Sequence, residues 1–162
     1  MGNPLEFEIR RLAAPKEAQQ VATWIYDEWA RYEPDMTWEN CLAVVMDSIQ
    51  PGVAIPAFFV ARVNAQLVGC SSIIASDLPT RPELGPWLAN VLVLPEYRNQ
   101  GLGGSLIKAA MSHAALLTER LYLYTHDKTE LYAKLGWNPL GSDHYAGKNI
   151  VLMDFQFSKA SF

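Results

Sequence analysis

Apolar positions along the chain recur with two periods, and each change of period marks an element. Phe7 to Leu12 alternates apolar and polar residues and predicts a first strand. From Lys16 to Tyr32, Ala18, Val21, Ala22, Ile25 and Trp29 recur at steps of three and four, which predicts a helix that Pro34 breaks. Thr37 is placed to N-cap a second helix built on Leu42, Val45, Met46 and Ile49, ended by Pro51-Gly52. Two runs rich in Phe, Val and Ile, Ala57 to Val63 and Gln66 to Ala75, predict strands joined tightly at Asn64-Ala65. Residues 77–86 carry Pro79, Pro82, Gly85 and Pro86 and read as a loop. Trp87 to Leu94 is the next strand. Gly103, Leu106, Ala110, Ala114 and Leu117 then fall on one face of a helix, and Leu121 to Thr125 is a further strand. Asp127-Lys128-Thr129-Glu130 has the form of a capping box, so Asp127 is expected to cap a short helix carrying Leu131 and Leu135. Gly136 stands where that helix should end, and Pro139 lies beyond. Residues 140–145 and 148–157 predict a last hairpin around Ala146-Gly147.

This order predicts an α/β fold, a mixed central sheet with helices on both faces. The 162 residues suit a single domain over 1–162, with enough chain for a real core. Half the residues are hydrophobic and 19% are charged, an ordinary globular balance. A net charge of −4 carries no nucleic-acid footprint and is compatible with a cationic substrate. Cys41 and Cys70 belong to no metal spacing and no C-x-x-C motif, so they are expected to be buried, reduced thiols, with no metal site. Glu6 and Glu8 stand where a signal peptide needs an apolar core. Met1-Gly2 suits myristoylation, but Glu6 occupies the position that wants Ser or Thr. No run reaches the length of a membrane span, and the expected location is cytoplasmic.

The chemistry gathers at Val91-Leu92-Val93-Leu94-Pro95-Glu96-Tyr97-Arg98-Asn99-Gln100-Gly101-Leu102-Gly103-Gly104-Ser105. A strand runs into a polar turn, and glycines open the next helix. The first N–H groups of a helix lack intrahelical partners and lie at the positive end of its dipole. Glycines there let an anion approach the backbone, so the stretch predicts a phosphate or pyrophosphate site. A P-loop would need a lysine within Gly103-Gly104-Ser105, and a dinucleotide fingerprint would need glycine at Leu106. The pattern that fits is [Arg/Gln]-x-x-Gly-x-[Gly/Ala], from Arg98 to Gly103.

With the preceding strand, that pattern resembles the acyl-CoA pyrophosphate loop of the GNAT superfamily of CoA-dependent N-acetyltransferases. Leu131-Tyr132-Ala133-Lys134-Leu135-Gly136-Trp137 is similar to the family's second signature, and the element order agrees over nearly the entire chain. The resemblance implies a GNAT fold in which the strands flanking the glycine-loop helix splay apart. It implies acetyl-CoA as cosubstrate, with pantetheine against the backbone of Val91, Leu92 and Val93. An N–H near Leu92 would polarise the thioester carbonyl, as in an oxyanion hole. Arg98, Asn99, Gln100, Gly101, Leu102, Gly103, Gly104 and Ser105 would surround the pyrophosphate, with Arg98 either adding charge or simply solvated.

The implied reaction is attack of a neutral primary amine on the thioester. The amine must lose a proton, and the departing thiolate must gain one. Tyr132 stands at the family's position for the acid; its other reading is packing on a short helix. The glutamates many relatives use as base have no counterpart: Asn90 and Tyr124 stand there, and Asn90 is left to position a water. His126 has a suitable ordinary pKa but stands at a strand end, where histidines are usually structural, and "THD" replaces the family's CoA-contacting asparagine. Tyr26, Trp29, Tyr32 and Trp38, with His144 and Tyr145 near the last turn, either line the acceptor site or pack the core. The acceptor is a small-molecule or peptide amine, with no nucleic acid, no membrane, and a homodimer as the candidate assembly. The competing expectation is a non-catalytic module that binds acyl-CoA and senses it, which the missing acidic base favours.

Overall fold

The computed structural model describes residues 5–158, so Met1-Gly2 and its acylation motif lie outside the described residues. Its elements are β1 (Glu8–Arg11), α1 (Pro15–Glu28), α2 (Trp38–Ser48), β2 (Ala57–Val63), β3 (Gln66–Ile74), β4 (Trp87–Val93), α3 (Leu102–Ala115), β5 (Arg120–Thr125), α4 (Thr129–Lys134), β6 (Asn138–Tyr145) and β7 (Lys148–Gln156). Single turns of 3-10 helix lie at Ala30–Tyr32 and Pro95–Tyr97.

β2 explains the layering. Phe58 and Val60 pack with Val21, Ala22 and Ile25 of α1 and Cys41 and Val45 of α2. The alternate residues Ala57, Phe59, Ala61 and Val63 pack with Leu106, Ile107 and Ala110 of α3. A strand covered on both faces reads as a continuous apolar run, as this one does. A third cluster, Leu78, Trp87, Tyr122, Ile150 and Leu152, lies under the loop between β3 and β4, with Leu78 of that loop fully buried.

The seven strands run in the order β1-β2-β3-β4-β5-β7-β6. Neighbours are antiparallel except β4 and β5, which are parallel and joined through α3. The sheet is therefore mixed, with α3 on one face and α1 and α2 on the other.

Local chemistry sets most boundaries. Thr37 Oγ1 accepts from the Asn40 N–H at 3.1 Å, and Asn40 Oδ1 accepts from the Thr37 N–H at 3.0 Å, a reciprocal cap on α2. The β2–β3 turn holds Asn64 and Ala65 at φ 49° and 66°, and the β6–β7 turn holds Ala146 and Gly147 at 53° and 78°. Both are the left-handed pairs that two-residue hairpins favour.

Three expectations are corrected. The first helix stops at Glu28 rather than Tyr32, because the chain leaves helical geometry at Trp29, at φ −131° and ψ −54°. Leu117 does not join the inner face of α3; it lies beyond the helix end, 43% exposed. Asp127 does not cap α4. Lys128 precedes the helix with no side-chain cap, and the Lys128 N–H donates instead to Thr125 Oγ1 at 3.0 Å. The end of β5 thus holds the start of α4. Gly136, at φ 98°, closes α4 in the left-handed conformation as expected.

Candidate active site

β4 and β5 pair at one position, Trp87 opposite Tyr122, and then diverge. A bulge drives the divergence. Between Cys70 and Ser72 the β3–β4 register slips, and Asn90 turns to φ 56°. Such a slip bends a strand and re-aims its backbone groups. Three bonds hold the bulge: Asn90 Nδ2 donates to Ser72 Oγ at 3.0 Å, Ser72 Oγ donates to the Ala89 carbonyl at 2.9 Å, and Cys70 Sγ donates to the Asn90 carbonyl at 3.2 Å. The amide expected to position a water thus also shapes the strand, through one N–H.

Downstream, the Leu94 N–H donates to the Val68 carbonyl of β3 at 2.9 Å. Strand alternation then turns the main-chain groups of Val93 and Val91 away from β3, toward the gap, and those of Leu92 toward β3. A donor at the gap is accordingly the Val91 N–H rather than that of Leu92. The Val93 carbonyl faces the gap too, where it accepts from Arg98 Nε at 2.9 Å. Arg98 thus ties the loop to the end of β4 through its Nε, while its side chain stays exposed in the cleft lining.

The glycine loop closes one side of the gap. Asn99 and Gly101 take positive φ, 63° and 89°, and Gly101 precedes the first residue of α3. The N–H groups of Leu102, Gly103 and Gly104 follow as the unpaired start of a 14-residue helix. The Ser105 N–H already donates to the Gly101 carbonyl at 3.2 Å, so it is not among them. A Cβ added at Gly101 or Gly104 would meet nothing within 4 Å, and one at Gly103 would meet only Val93 Cγ2 at 3.8 Å. The backbone requires glycine at Gly101, whose φ is 89°, but nothing in the protein requires Gly103 and Gly104 to be small; a group seated on the backbone would. The Leu102 side chain is core, 1% exposed, and contributes only its main chain.

Gap, loop and α4 open on one cleft of about 1170 Å³, lined by Asn90 to Val93, Arg98, Asn99, Gly103 and Tyr132 among others. The Tyr132 ring is buried against Trp137, centroids 6.2 Å apart, and its hydroxyl makes no hydrogen bond among the described residues. Burial, with the nearby Asp127 charge adding, pushes that hydroxyl up to about 12.

The other end of the cleft is acidic and aromatic. Tyr145 of β6 donates to Glu33 Oε1 at 3.2 Å, joining the last hairpin to the α1–α2 connection. Tyr124 of β5 packs against Tyr145 and Trp87, ring centroids 6.0 and 6.2 Å away. Asp77 lines the same cleft, brought there by the loop that Leu78 anchors. Burial first, and the Glu33 charge second, push the Asp77 carboxyl up to about 7. Burial pushes Tyr145 up to about 12, with Glu33 adding, and pushes Tyr124 well above its ordinary value. Sequence reasoning passed over Asp77 and Glu33, since each sits in a loop with no periodic signal.

The Asp77 shift carries a stability consequence. From about pH 4 to about pH 7 the folded protein keeps a proton that the unfolded chain releases, so this group lowers stability as pH rises and does so fully above 7. Asp77→Asn is expected to raise the melting temperature by a few degrees at pH 8 and to leave it nearly unchanged at pH 4, as scanning calorimetry would read.

The expected acceptor residues divide. Trp29 and Tyr145 line the cleft. Tyr26 packs into the α1–α2 core, and Tyr32 is 67% exposed, its ring under the Arg31 guanidinium at 4.7 Å. His144 is exposed, its Nδ1 3.2 Å from Asn149 Oδ1, and Trp38 Nε1 donates to Thr23 Oγ1. None of these four joins the cleft lining, while His126 does. His113 packs edge-on to Phe59, with Nε2 2.7 Å from the Ala54 carbonyl, outside the cleft.

A family model described as an acetyltransferase (GNAT) domain matches residues 55–139, from β2 through α4. No curated protein matches the sequence. Many solved structures match the fold. A GNAT-family acetyltransferase from Streptococcus pneumoniae superposes with a TM-score of 0.70 at 20% identity, over 94% of this chain and 100% of its own. A Salmonella typhimurium protein solved with its cofactor acetyl-CoA gives 0.73 at 14%, over 96% of each chain. An aminoglycoside 6′-N-acetyltransferase complexed with coenzyme A gives 0.70 at 16%, over 95% of this chain and 99% of its own.

Proposed function

Because the chain belongs to the GNAT acetyltransferase family, we propose that it takes acetyl-CoA as acyl donor and transfers the acetyl group to a primary amine that attacks the thioester directly. The observation that carries this reading is the convergence of three features on one cleft: the β4–β5 gap, the glycine-opened N-terminus of α3, and the Tyr132 hydroxyl.

Each part has a task. The N–H groups of Leu102 to Gly104 and the dipole of α3 hold the diphosphate of CoA, on a backbone surface that no Cβ obstructs. Val91 and Val93 present main-chain groups to the pantetheine arm, as an edge strand does to an added strand. The Val91 N–H is oriented to stabilise negative charge on the thioester oxygen, taking the task first assigned to Leu92. Tyr132 serves the departing sulfur.

The non-catalytic sensing reading drew its support from the missing base. Asp77, which lines the same cleft with its carboxyl pushed up to about 7 by burial, weighs against that reading.

Acetyl-CoA is expected to raise the melting temperature through linkage, while NADH and ATP do so far less. Thiol release from acetyl-CoA should then appear with at least one member of a broad amine panel. Failure of both acetyl-CoA and CoA to stabilise the protein would overturn the reading, as would binding with no release across the panel.

A further inference from the structure

Resting on that reading, we infer that Asp77 is the proton acceptor of the reaction and that Glu33, fixed by Tyr145, holds the acceptor's positive charge beside it, so the substrate is an amine that enters as its ammonium form. The inference starts from charge and position. Five carboxylates line the cleft, Glu28, Glu33, Asp47, Asp77 and Asp127, against Arg98, Lys128 and Lys148. Arg98 is tied to β4 beside the glycine loop, and Lys128 immediately precedes α4. Glu33 and Asp77 stand instead with Tyr124 and Tyr145, away from the loop, where a cation meets two carboxylates and two aromatic rings.

Rigidity distinguishes this pair from a solvated acidic patch. Leu78, next to Asp77, is fully buried against Trp87 and Tyr122. Glu33 is held by a residue 112 positions later in the chain. The groups that face Asp77 are Glu33 from the α1–α2 connection, Tyr124 from β5 and Tyr145 from β6, with Lys148 of β7 opposite Tyr145 in the hairpin.

Asp77 takes one proton from the ammonium, and the freed lone pair forms the C–N bond at the thioester carbon. The C–S bond breaks with its electron pair on sulfur, which receives the Tyr132 proton. The nitrogen's second proton, lost as the amide forms, restores Tyr132, and the proton on Asp77 leaves to solvent. The sum is ammonium plus thioester giving amide, thiol and one proton. An ordinary carboxylate lies roughly six pKa units below an alkylammonium, and a carboxyl near 7 halves that gap.

The test compares the wild type with Asp77→Asn and Glu33→Gln on the amine panel, measuring kcat and KM from pH 5.5 to 9.5. In the wild type kcat/KM should rise through a limb near pH 7, because the base works only when deprotonated. Asp77→Asn should hold acetyl-CoA as tightly, by calorimetry, yet lose about 10²- to 10⁴-fold in kcat/KM at pH 7, without that limb. Glu33→Gln should raise KM for the amine about tenfold with kcat largely kept. Asp77→Asn with wild-type rates and an unchanged pH profile overturns the inference and leaves the acetyltransferase reading standing. A wild type that transfers to no amine overturns both. If Asp77→Asn fails to bind acetyl-CoA, the wild-type profile decides: no limb between pH 6 and 8 overturns the inference, and a limb there supports it.

Discussion

Tyr132→Phe is expected to lower kcat by about 10²- to 10⁴-fold with an active amine, leaving acetyl-CoA affinity and melting temperature unchanged. The fold tolerates the change because the hydroxyl has no hydrogen-bond partner to lose among the described residues, while the ring keeps its edge contact with Trp137. The chemistry does not tolerate it. At about 12 the hydroxyl holds its proton throughout the working range. A thiol titrates near 8.5, so such a hydroxyl yields its proton to the departing sulfur only if another replaces it. In the proposed reaction the attacking nitrogen supplies the replacement, which would make Tyr132 a relay between nitrogen and sulfur. The loss therefore belongs to kcat, since the relay operates only at the transition state. Single-turnover kinetics beside calorimetry would read this directly. A Phe variant with full turnover where chemistry limits the rate would remove Tyr132 from the mechanism.

Gly103→Val is expected to weaken acetyl-CoA binding by about 10- to 100-fold, the equivalent of one or two hydrogen bonds to a charged group. The same change should leave the unliganded fold intact. A Cβ here touches only Val93 Cγ2, at ordinary van der Waals distance, and valine exceeds glycine in helix propensity by a few tenths of a kcal/mol. The side chain would stand over the backbone surface where the diphosphate is proposed to sit. Calorimetry showing unchanged affinity in a folded variant would mean that the loop does not hold the diphosphate.

Several features were legible because one local signal governed each. β2 reads as a strand buried on both faces because every residue from Ala57 to Ala61 meets a helix on one side or the other. Thr37 caps α2 because its partner, Asn40, lies three residues away. The strand–turn–helix geometry of the glycine loop reads from the sequence because it is local, with Gly101 at positive φ just before α3. What escaped the sequence was set by tertiary choice. Asp127 has the spacing of a cap, but Thr125, held in β5, takes the Lys128 N–H. Which of Val91 and Leu92 faces the gap depends on a bulge at Asn90, fixed by bonds to Cys70 and Ser72 from another strand. Glu33 and Asp77 meet only through folding, on loops 44 residues apart in sequence with no period to announce either. Tyr26 and Tyr32 sit on the expected segment, but core packing takes one and solvent the other.

The parting of β4 from β5 also bears on how the molecule breathes. A sheet normally unfolds as one unit because its hydrogen-bond ladder is unbroken. Here two half-sheets, β1 to β4 and β5 to β7, share one backbone pair at Trp87 and Tyr122, and beyond it their cohesion falls to side-chain packing, under α3 on one face and around Trp87, Tyr122 and Leu152 elsewhere, with the Tyr145–Glu33 bond. Amides along the inner edges of the gap consequently lie at the low end of the protein's range of opening free energies. A ligand arm laid between the strands would supply the missing rung, so that occupancy would slow amide exchange on both edges and make the two halves melt together.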